Sequence, residues 1–489
     1  MTTIATLPIV IPLAATALIF LARGQMARRV ISLVAMGAYL LVALWLLVAV
    51  DRSGMIVVAE GGWEPPIGIA LVADRLAVLL LAAAAVALFA VLLYAVAQRS
   101  TDVSFRGFHA VYQMLAAGVA LSLLSGDLFT LFVAFEVMLT ASYVLLTQRA
   151  GGTQTRATIS YVVIGLVASA LLLTAIGFIY ATTGTVNIAD LTEKLNGIPP
   201  GFRAGLGWML FLVFGIKAAI FPLFFWLPDS YPVASTPVTA VFAGLLTKIG
   251  VYAIIRTQTL LFPSDGPVTL MLVIAGFTMI VGVLGAIAQK DVKRILSFHI
   301  VSQIGYMIMG LGFFTVAGVA ASIVFVVHQI FVKAALFLAG GMIEETEGTS
   351  TIDGANGVAR RTPIIALLFL PAALSLAGFP PFSGFIGKLA LVEAGFAVDQ
   401  WLVVAVSLVA SVLTLLSMTK IWAGVFWGRS SDTPPRRLPS GLAASTGMLV
   451  VAGIVIAIGA EPLVQYAQRA AEDLLGAGLY RASVLGGGA

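Results

Sequence analysis

The sequence contains no cysteine, which excludes disulfides, thiolate metal sites and iron–sulfur clusters. Charge is nearly as scarce: 10% of the 489 residues are Asp, Glu, Lys or Arg, and only 3 are His. A soluble domain typically carries about 25% charged residues, so no water-facing surface can be built from so few over such a length. What is abundant is hydrophobicity, 60% of the residues, with a mean hydropathy of +1.07. Repeated apolar runs of about 18 or more residues mark membrane-spanning helices. Only helices or closed barrels satisfy backbone polar groups in lipid, and the runs here far exceed the roughly 10-residue alternating segments of a barrel. The composition predicts an all-α polytopic membrane protein. The formal charge of +5 is spread singly over short loops, which points to topology rather than to nucleic acid. Met1 to Leu21 lacks a basic start and is expected to be a first spanning helix rather than a cleaved signal.

Fourteen apolar segments follow one another near 4–21, 30–50, 76–97, 110–125, 127–147, 158–181, 205–226, 237–257, 268–288, 295–315, 318–340, 363–396, 401–427 and 443–460. Their connections are short, so 1–489 is expected to form a single membrane domain. Alternate loops differ in basic content. Arg23, Arg28, Arg29, Arg99, Arg106, Arg149, Arg156, Lys290, Lys293, Arg294, Arg360, Arg361, Arg429, Arg436 and Arg437 fall on one side, and Arg52, Arg75, Lys194, Arg203, Arg256, Arg469 and Arg481 on the other. The positive-inside rule places the larger group in the cytoplasm and both termini outside.

Of the 27 basic residues, five lysines remain, and these lie within apolar segments: Lys217, Lys248, Lys333, Lys388 and Lys420. Glu136 and His328 lie within apolar segments too. A charged side chain at the centre of a spanning helix costs about 2.5–3.5 kcal/mol on insertion scales, so intramembrane ionisable groups are functional candidates. Lys420 is within about two turns of a segment end and can snorkel to the interface. Lys217, Lys248 and Glu136 are near mid-span. Lys333 and His328, five apart, are close enough to share one broad helix face. Asp127, Asp229 and Glu393 sit at or near segment ends, where interfacial solvation accounts for them. Burial disfavours a charged amine and a nearby carboxylate favours it, so a row of lysines with one glutamate can pass charge. No metal-ligand cluster, phosphate loop or nucleophile–base pattern appears in the sequence, and no enzymatic site is expected.

Segment 7 is interrupted by Pro222 soon after Lys217, and segment 12 by Pro380 and Pro381 just before Lys388. Proline removes a helix hydrogen bond and clashes with the preceding turn, and two broken helices in corresponding halves point to a transport site. Segments 4–8 (110–257) and 9–13 (268–427) are five each, an odd number, so the second set enters from the opposite side. Segments 1–3 (1–109) precede them, and the last segment and tail (443–489) follow. This register pairs Lys217 with Lys388, and LLTKIGVY around Lys248 with SMTKIWAG around Lys420.

The stretches SGDLFTLFVAFEVMLTASYVLL, KAAIFPLFFWLPDSYPVASTPVTAVFAGLLTKIGVYAIIR, KDVKRILSFHIVSQIGYMIMGLG, HQIFVKAALFLAGG and LAGFPPFSGFIGKL resemble the antiporter-like proteins shared by Mrp-type multisubunit Na⁺/H⁺ antiporters and the membrane arm of respiratory complex I. Within that superfamily, HIVSQIGYMIMGLG, HQIFVK and LPDSYP look like the D subunits of the Mrp antiporters. The chain ends soon after its last segment, unlike the Mrp A subunit or the L-type complex I subunit. Lys388 stands where the M-type subunit typically has glutamate. The likeness fades in segments 1–2 and beyond Arg429.

The resemblance implies that Glu136 and Lys217 form an interacting pair. Lys248 would be the central relay lysine, Lys388 the terminal group, and His328 with Lys333 the bridge between halves. It implies partnership with Mrp subunits A, B, C, E, F and G in a bacterial plasma membrane, with Na⁺ and H⁺ as the ions moved and no cofactor on this chain. The expected function is proton translocation within a Na⁺/H⁺ antiporter. The alternatives are a proton-pumping subunit of complex I (NADH-quinone oxidoreductase) and a purely structural subunit of such a complex.

Overall fold

The computed structural model describes residues 2–98, 105–147, 152–263, 268–427 and 436–486. Arg99, Arg149 and Arg429 lie outside the described residues. The apolar runs are helical, as lipid requires of a chain that must satisfy its own backbone. In chain order they form α1 (Leu7–Leu21), α2 (Gln25–Ser53), α3 (Arg75–Gln98), α4 (Phe108–Leu124), α5 (Leu128–Leu146), α6 (Gly152–Thr183) and α7 (Pro200–Ala218). There follow α8 (Thr236–Leu260), α9 (Val268–Ala288), α10 (Val292–Gly312) and α11 (Val316–Glu347). The two halves of α12 (Pro363–Ala377 and Ser383–Ala397), then α13 (Trp401–Trp427) and α14 (Ser440–Ile458), complete the set. Among the described residues, 12 helices are long and apolar enough to cross a membrane, while α4 and the first half of α12 are shorter apolar helices. The chain closes with α15 (Ala460–Leu475) and α16 (Ala477–Leu485). The spanning windows of α8 and α11 are wholly buried, so these two helices form the axis around which the others pack.

One feature of the fold departs from the purely helical expectation: an antiparallel hairpin pairs Ile56–Ala59 (β1) with Ala70–Ala73 (β2). Leu71 bridges on to Ser125, so the hairpin covers the end of α4 and the start of α5. The same face gathers the end of α2, the start of α3, the end of α8, and α15. There Arg469 pairs with Asp51 at 2.9 Å, and Arg75 pairs with Asp473 at 2.7 Å. Partial burial pushes the Asp473 carboxyl above the usual carboxylate range, against the opposing pull of Arg75.

Several constructions occur twice. Asp127 caps α5 by accepting from Thr130 N at 2.6 Å, and Asp291 caps α10 by accepting from Arg294 N at 2.9 Å. Such caps satisfy backbone donors that a helix start leaves without partners. Each capping residue also forms a backbone bridge to the loop beyond the next helix, Asp127 to Asn187 and Asp291 to Thr351. The intervening helices, α6 and α11, are each 32 residues long. Helix α7 and the first half of α12 both end on a left-handed residue, Ala219 (φ 64) and Gly378 (φ 85). In both, the next N–H reaches back five residues, Ile220 to Gly215 O at 3.1 Å and Phe379 to Leu374 O at 3.0 Å, which is the Schellman arrangement. Finally, α8 and α13 each contain a π-helical turn, at Phe242–Leu246 and Trp422–Trp427.

The chain continues differently beyond the two breaks. After Pro222 it recovers only five helical residues, Trp226–Ser230, whereas α12 resumes for 15. Helix α7 therefore stops at Ala218, eight residues short of the segment end expected at 226. Pro222 lies between Ala218 and Trp226, and Pro380 and Pro381 lie between Ala377 and Ser383.

Candidate functional site

Glu136 is half-buried on α5. One of its carboxylate oxygens, Oε1, accepts a hydrogen bond from Ser169 Oγ on α6. The same hydroxyl oxygen accepts from Lys217 Nζ, on the last turn of α7, at 3.2 Å. The predicted pair is therefore brought together through a serine that the sequence did not single out. Lys217 Nζ also stands 4.9 Å from the centre of the Phe135 ring, a cation–π contact. A cavity of about 30 Å³, lined by Phe135, Tyr161, Lys217, Trp226 and Tyr231 among others, adjoins this lysine. It has room for roughly two water molecules. Gly250 lets α8 approach this point closely: a Cβ there would lie 2.7 Å from the backbone nitrogen of Ala218.

Lys248 follows the π-helical turn of α8 and is 2% exposed. Its Nζ donates to the carbonyl of Ala243 within that turn at 2.5 Å. A π-turn disturbs the regular backbone ladder, and such turns recur at functional sites; here the disturbed turn presents a carbonyl to the lysine.

On α11, His328 and Lys333 are both buried but do not share a face. Five residues correspond to about 140° of rotation around a helix, so the two side chains meet different neighbours. His328 Nδ1 lies 2.9 Å from Ser383 Oγ, at the start of the second half of α12. Lys333 Nζ is directed to Leu296 O of α10 at 3.5 Å.

Lys388 is not the register equivalent of Lys217. Superposing the left-handed residues Ala219 and Gly378 sets Leu376, not Lys388, opposite Lys217; Lys388 lies beyond the break. Its side chain folds back across it. Nζ donates to Leu376 O at 3.2 Å, Ala377 O at 2.9 Å and Ser411 Oγ of α13 at 2.9 Å. The break thus offers the carbonyls of a helix C-terminus, which favour a cation. Tyr306 of α10 adds a ring face 5.0 Å away.

Lys420 differs in kind from its expected counterpart Lys248. It is half-buried and donates to Ile287 O at 2.8 Å and Gln289 O at 2.6 Å, closing the end of α9. Lys420→Met is expected to cost about 0.3–1 kcal/mol of that helix-end contact and to leave transport near the wild-type rate, measured as Na⁺-driven pH change in vesicles. The remaining charged residues also find specific places. Asp127 is a buried cap rather than a solvated end. Asp229 is exposed and pairs with Arg294 at 2.8 Å, and Glu393 is exposed.

Three further groups escaped the sequence argument. His299 on α10 is fully buried, its Nε2 placed 2.9 Å from Ser417 Oγ; one of only 3 histidines in the chain, it carried a compositional signal. Ser169 carried none, since serine is common in spanning helices. Arg256, assigned to a loop, is 1% exposed and pairs with Asp74 at 2.6 Å. Among the described residues no three His, Asp or Glu side chains converge as metal ligands.

The chain matches the family described as NADH:quinone oxidoreductase/Mrp antiporter, TM, over residues 125–414. It is 41% identical to the D subunit of the Na⁺/H⁺ antiporter of Alkalihalophilus pseudofirmus, over 99% of this chain and 100% of that protein. It is 36% identical to the D subunit of the Na⁺/H⁺ antiporter of Bacillus subtilis, over 98% of each. A chain in the structure of the Mrp complex from a Dietzia species superposes with a TM-score of 0.95 at 33% identity, covering 99% of this chain and 100% of that one. The family match over more than half of the chain and the two likenesses over essentially its whole length agree, and the chain belongs to the NADH:quinone oxidoreductase/Mrp antiporter transmembrane family.

Proposed function

We propose that this chain conducts protons as the D-type subunit of a multisubunit Na⁺/H⁺ antiporter, working with Mrp subunits A, B, C, E, F and G in a bacterial plasma membrane. The observation that carries the reading is the set of relay groups and the way each is held. Glu136 and Lys217 share a serine, and Lys248, Lys333 and Lys388 each donate to backbone carbonyls or a hydroxyl. Among the described residues none of these four lysines is locked in a direct ion pair. A buried amine held by neutral dipoles can give up its proton without leaving a carboxylate stranded beside it. His328 and Ser383 join Lys333 and Lys388 in the second half. The domain is built as two inverted five-helix halves, α4–α8 and α9–α13. Both termini and the hairpin face lie outside, a reading supported by the excess of basic residues in alternate loops.

The test replaces Glu136 by Gln and Lys217 by Ala in the assembled complex and follows Na⁺-driven pH change in membrane vesicles. Each is expected to lower antiport by about 10²-fold, the scale of losing a positioned proton-transfer group, with assembly on native gels unchanged. Wild-type antiport in both would remove the relay assignment. Preserved transport with lost assembly would make the chain a structural subunit.

A further inference from the structure

Between α5 and α7 stands α6, which contributes no Asp, Glu, Lys or His to the membrane. Its Ser169 is 6% exposed and makes two hydrogen bonds of opposite sense. The hydroxyl donates to Glu136 Oε1 and accepts from Lys217 Nζ at 3.2 Å. A hydroxyl is the smallest side-chain group that is both donor and acceptor at one atom. An alanine there leaves the acid and the amine with nothing between them, and among the described residues the two make no direct ion pair. In the second half hydroxyls also stand beside titratable groups: Ser383 beside His328, and Ser411, which accepts from Lys388 Nζ and donates to Ala377 O.

We propose that Ser169 is the proton bridge between Lys217 and Glu136, an inference that rests on the relay reading above. In the step, an N–H bond of the Lys217 ammonium breaks as an O–H bond forms on Ser169. The original Ser169 O–H bond breaks as a new one forms on Glu136 Oε1. The amine and the acid end neutral, and the serine is neutral throughout, its hydrogen now directed to Lys217 Nζ. Once Glu136 has passed its proton on and Lys217 has received another, rotation about the Ser169 Cβ–Oγ bond restores the starting arrangement.

The test compares Ser169→Ala, Ser169→Thr and Glu136→Gln in the whole complex in membrane vesicles. Antiport is read as Na⁺-driven pH change, and the infrared carboxyl band is assigned to Glu136 by its loss in Glu136→Gln. Ser169→Ala is expected to lower antiport about tenfold, water in the gap carrying the remainder, and to shift the Glu136 band. Threonine, which keeps the hydroxyl, is expected to restore both. Loss of antiport with a shifted band supports the bridge whether or not the extra methyl of threonine fits. Loss with an unchanged band marks a packing role and overturns the proposal. Wild-type antiport in Ser169→Ala beside an impaired Glu136→Gln also overturns it, leaving the relay reading standing. Wild-type antiport in both overturns the bridge and the Glu136 step of the relay reading together.

Discussion

Lys248→Met is expected to lower Na⁺-driven proton movement by about 10³-fold, within the range for loss of a positioned acid–base group, while the complex still assembles. Methionine keeps the length and apolar stem of lysine and adapts to irregular space, so the packing of α8 is retained. Among the described residues the only hydrogen bond lost is the one to Ala243 O. Because burial of a charged amine is itself unfavourable, the variant is expected to melt at or above the wild-type temperature in detergent. The proposed relay puts Lys248 between the Glu136–Ser169–Lys217 group and the second half. In that reading a proton crossing from one half to the other passes through this amine, which is buried on α8. Lys248→Arg sharpens the test. It keeps a positive charge but cannot release a proton in a protein, and is expected to be as inactive as methionine. Wild-type antiport in the arginine variant would show that a fixed charge suffices and that no proton passes through this position.

Most of the fold was legible because hydropathy and charge scarcity act over long windows. Lysines in an apolar run are visible in the sequence whatever their neighbours, and so are Pro222, Pro380 and Pro381. What stayed hidden depends on which helix lies beside which. Ser169 is an ordinary residue until α6 is packed between α5 and α7. The different partners of His328 and Lys333, Ser383 and Leu296 O, depend on how α11 packs against α12 and α10. Pairing segment 7 with segment 12 matches helix to helix but not residue to residue, because the residue register depends on the left-handed residues that end each helix, Ala219 and Gly378. A flexible side chain then carries its amine back to the break from ten residues beyond Gly378, so both lysines serve a broken helix without occupying equivalent positions. The hairpin escaped because four-residue strands are too short to stand out beside long apolar helices.

The same blindness to partners concealed Arg256, which leads to the second large effect. Asp74→Ala is expected to destabilise the protein by about 3–5 kcal/mol, because it leaves a buried guanidinium without its counter-charge. The pair is enclosed, Arg256 at 1% exposure and Asp74 at 3%. Asp74 has two tasks: Oδ1 accepts from Ala77 N at 2.8 Å, capping α3, and Oδ2 accepts from Arg256 at 2.6 Å. The guanidinium lies 5.1 Å from the Tyr252 ring and 5.6 Å from that of Tyr480 on α16. Tyr252 in turn donates to Leu123 O of α4 at 2.6 Å. One buried pair therefore fastens α3, α4, α8 and α16 at the hairpin face, on the same helix as Lys248. The neighbouring Arg469–Asp51 contact is half-exposed, and Arg469→Ala is expected to cost no more than about 1 kcal/mol. Thermal melting in detergent should rank the variants in that order. A double variant, Asp74→Leu with Arg256→Met, replaces the pair by apolar groups and is expected to recover much of the lost stability, since such replacements are often neutral or better. If Asp74→Ala melts with the wild type, or the double variant melts below it as far as the single one does, the buried pair is not what holds this end of α8.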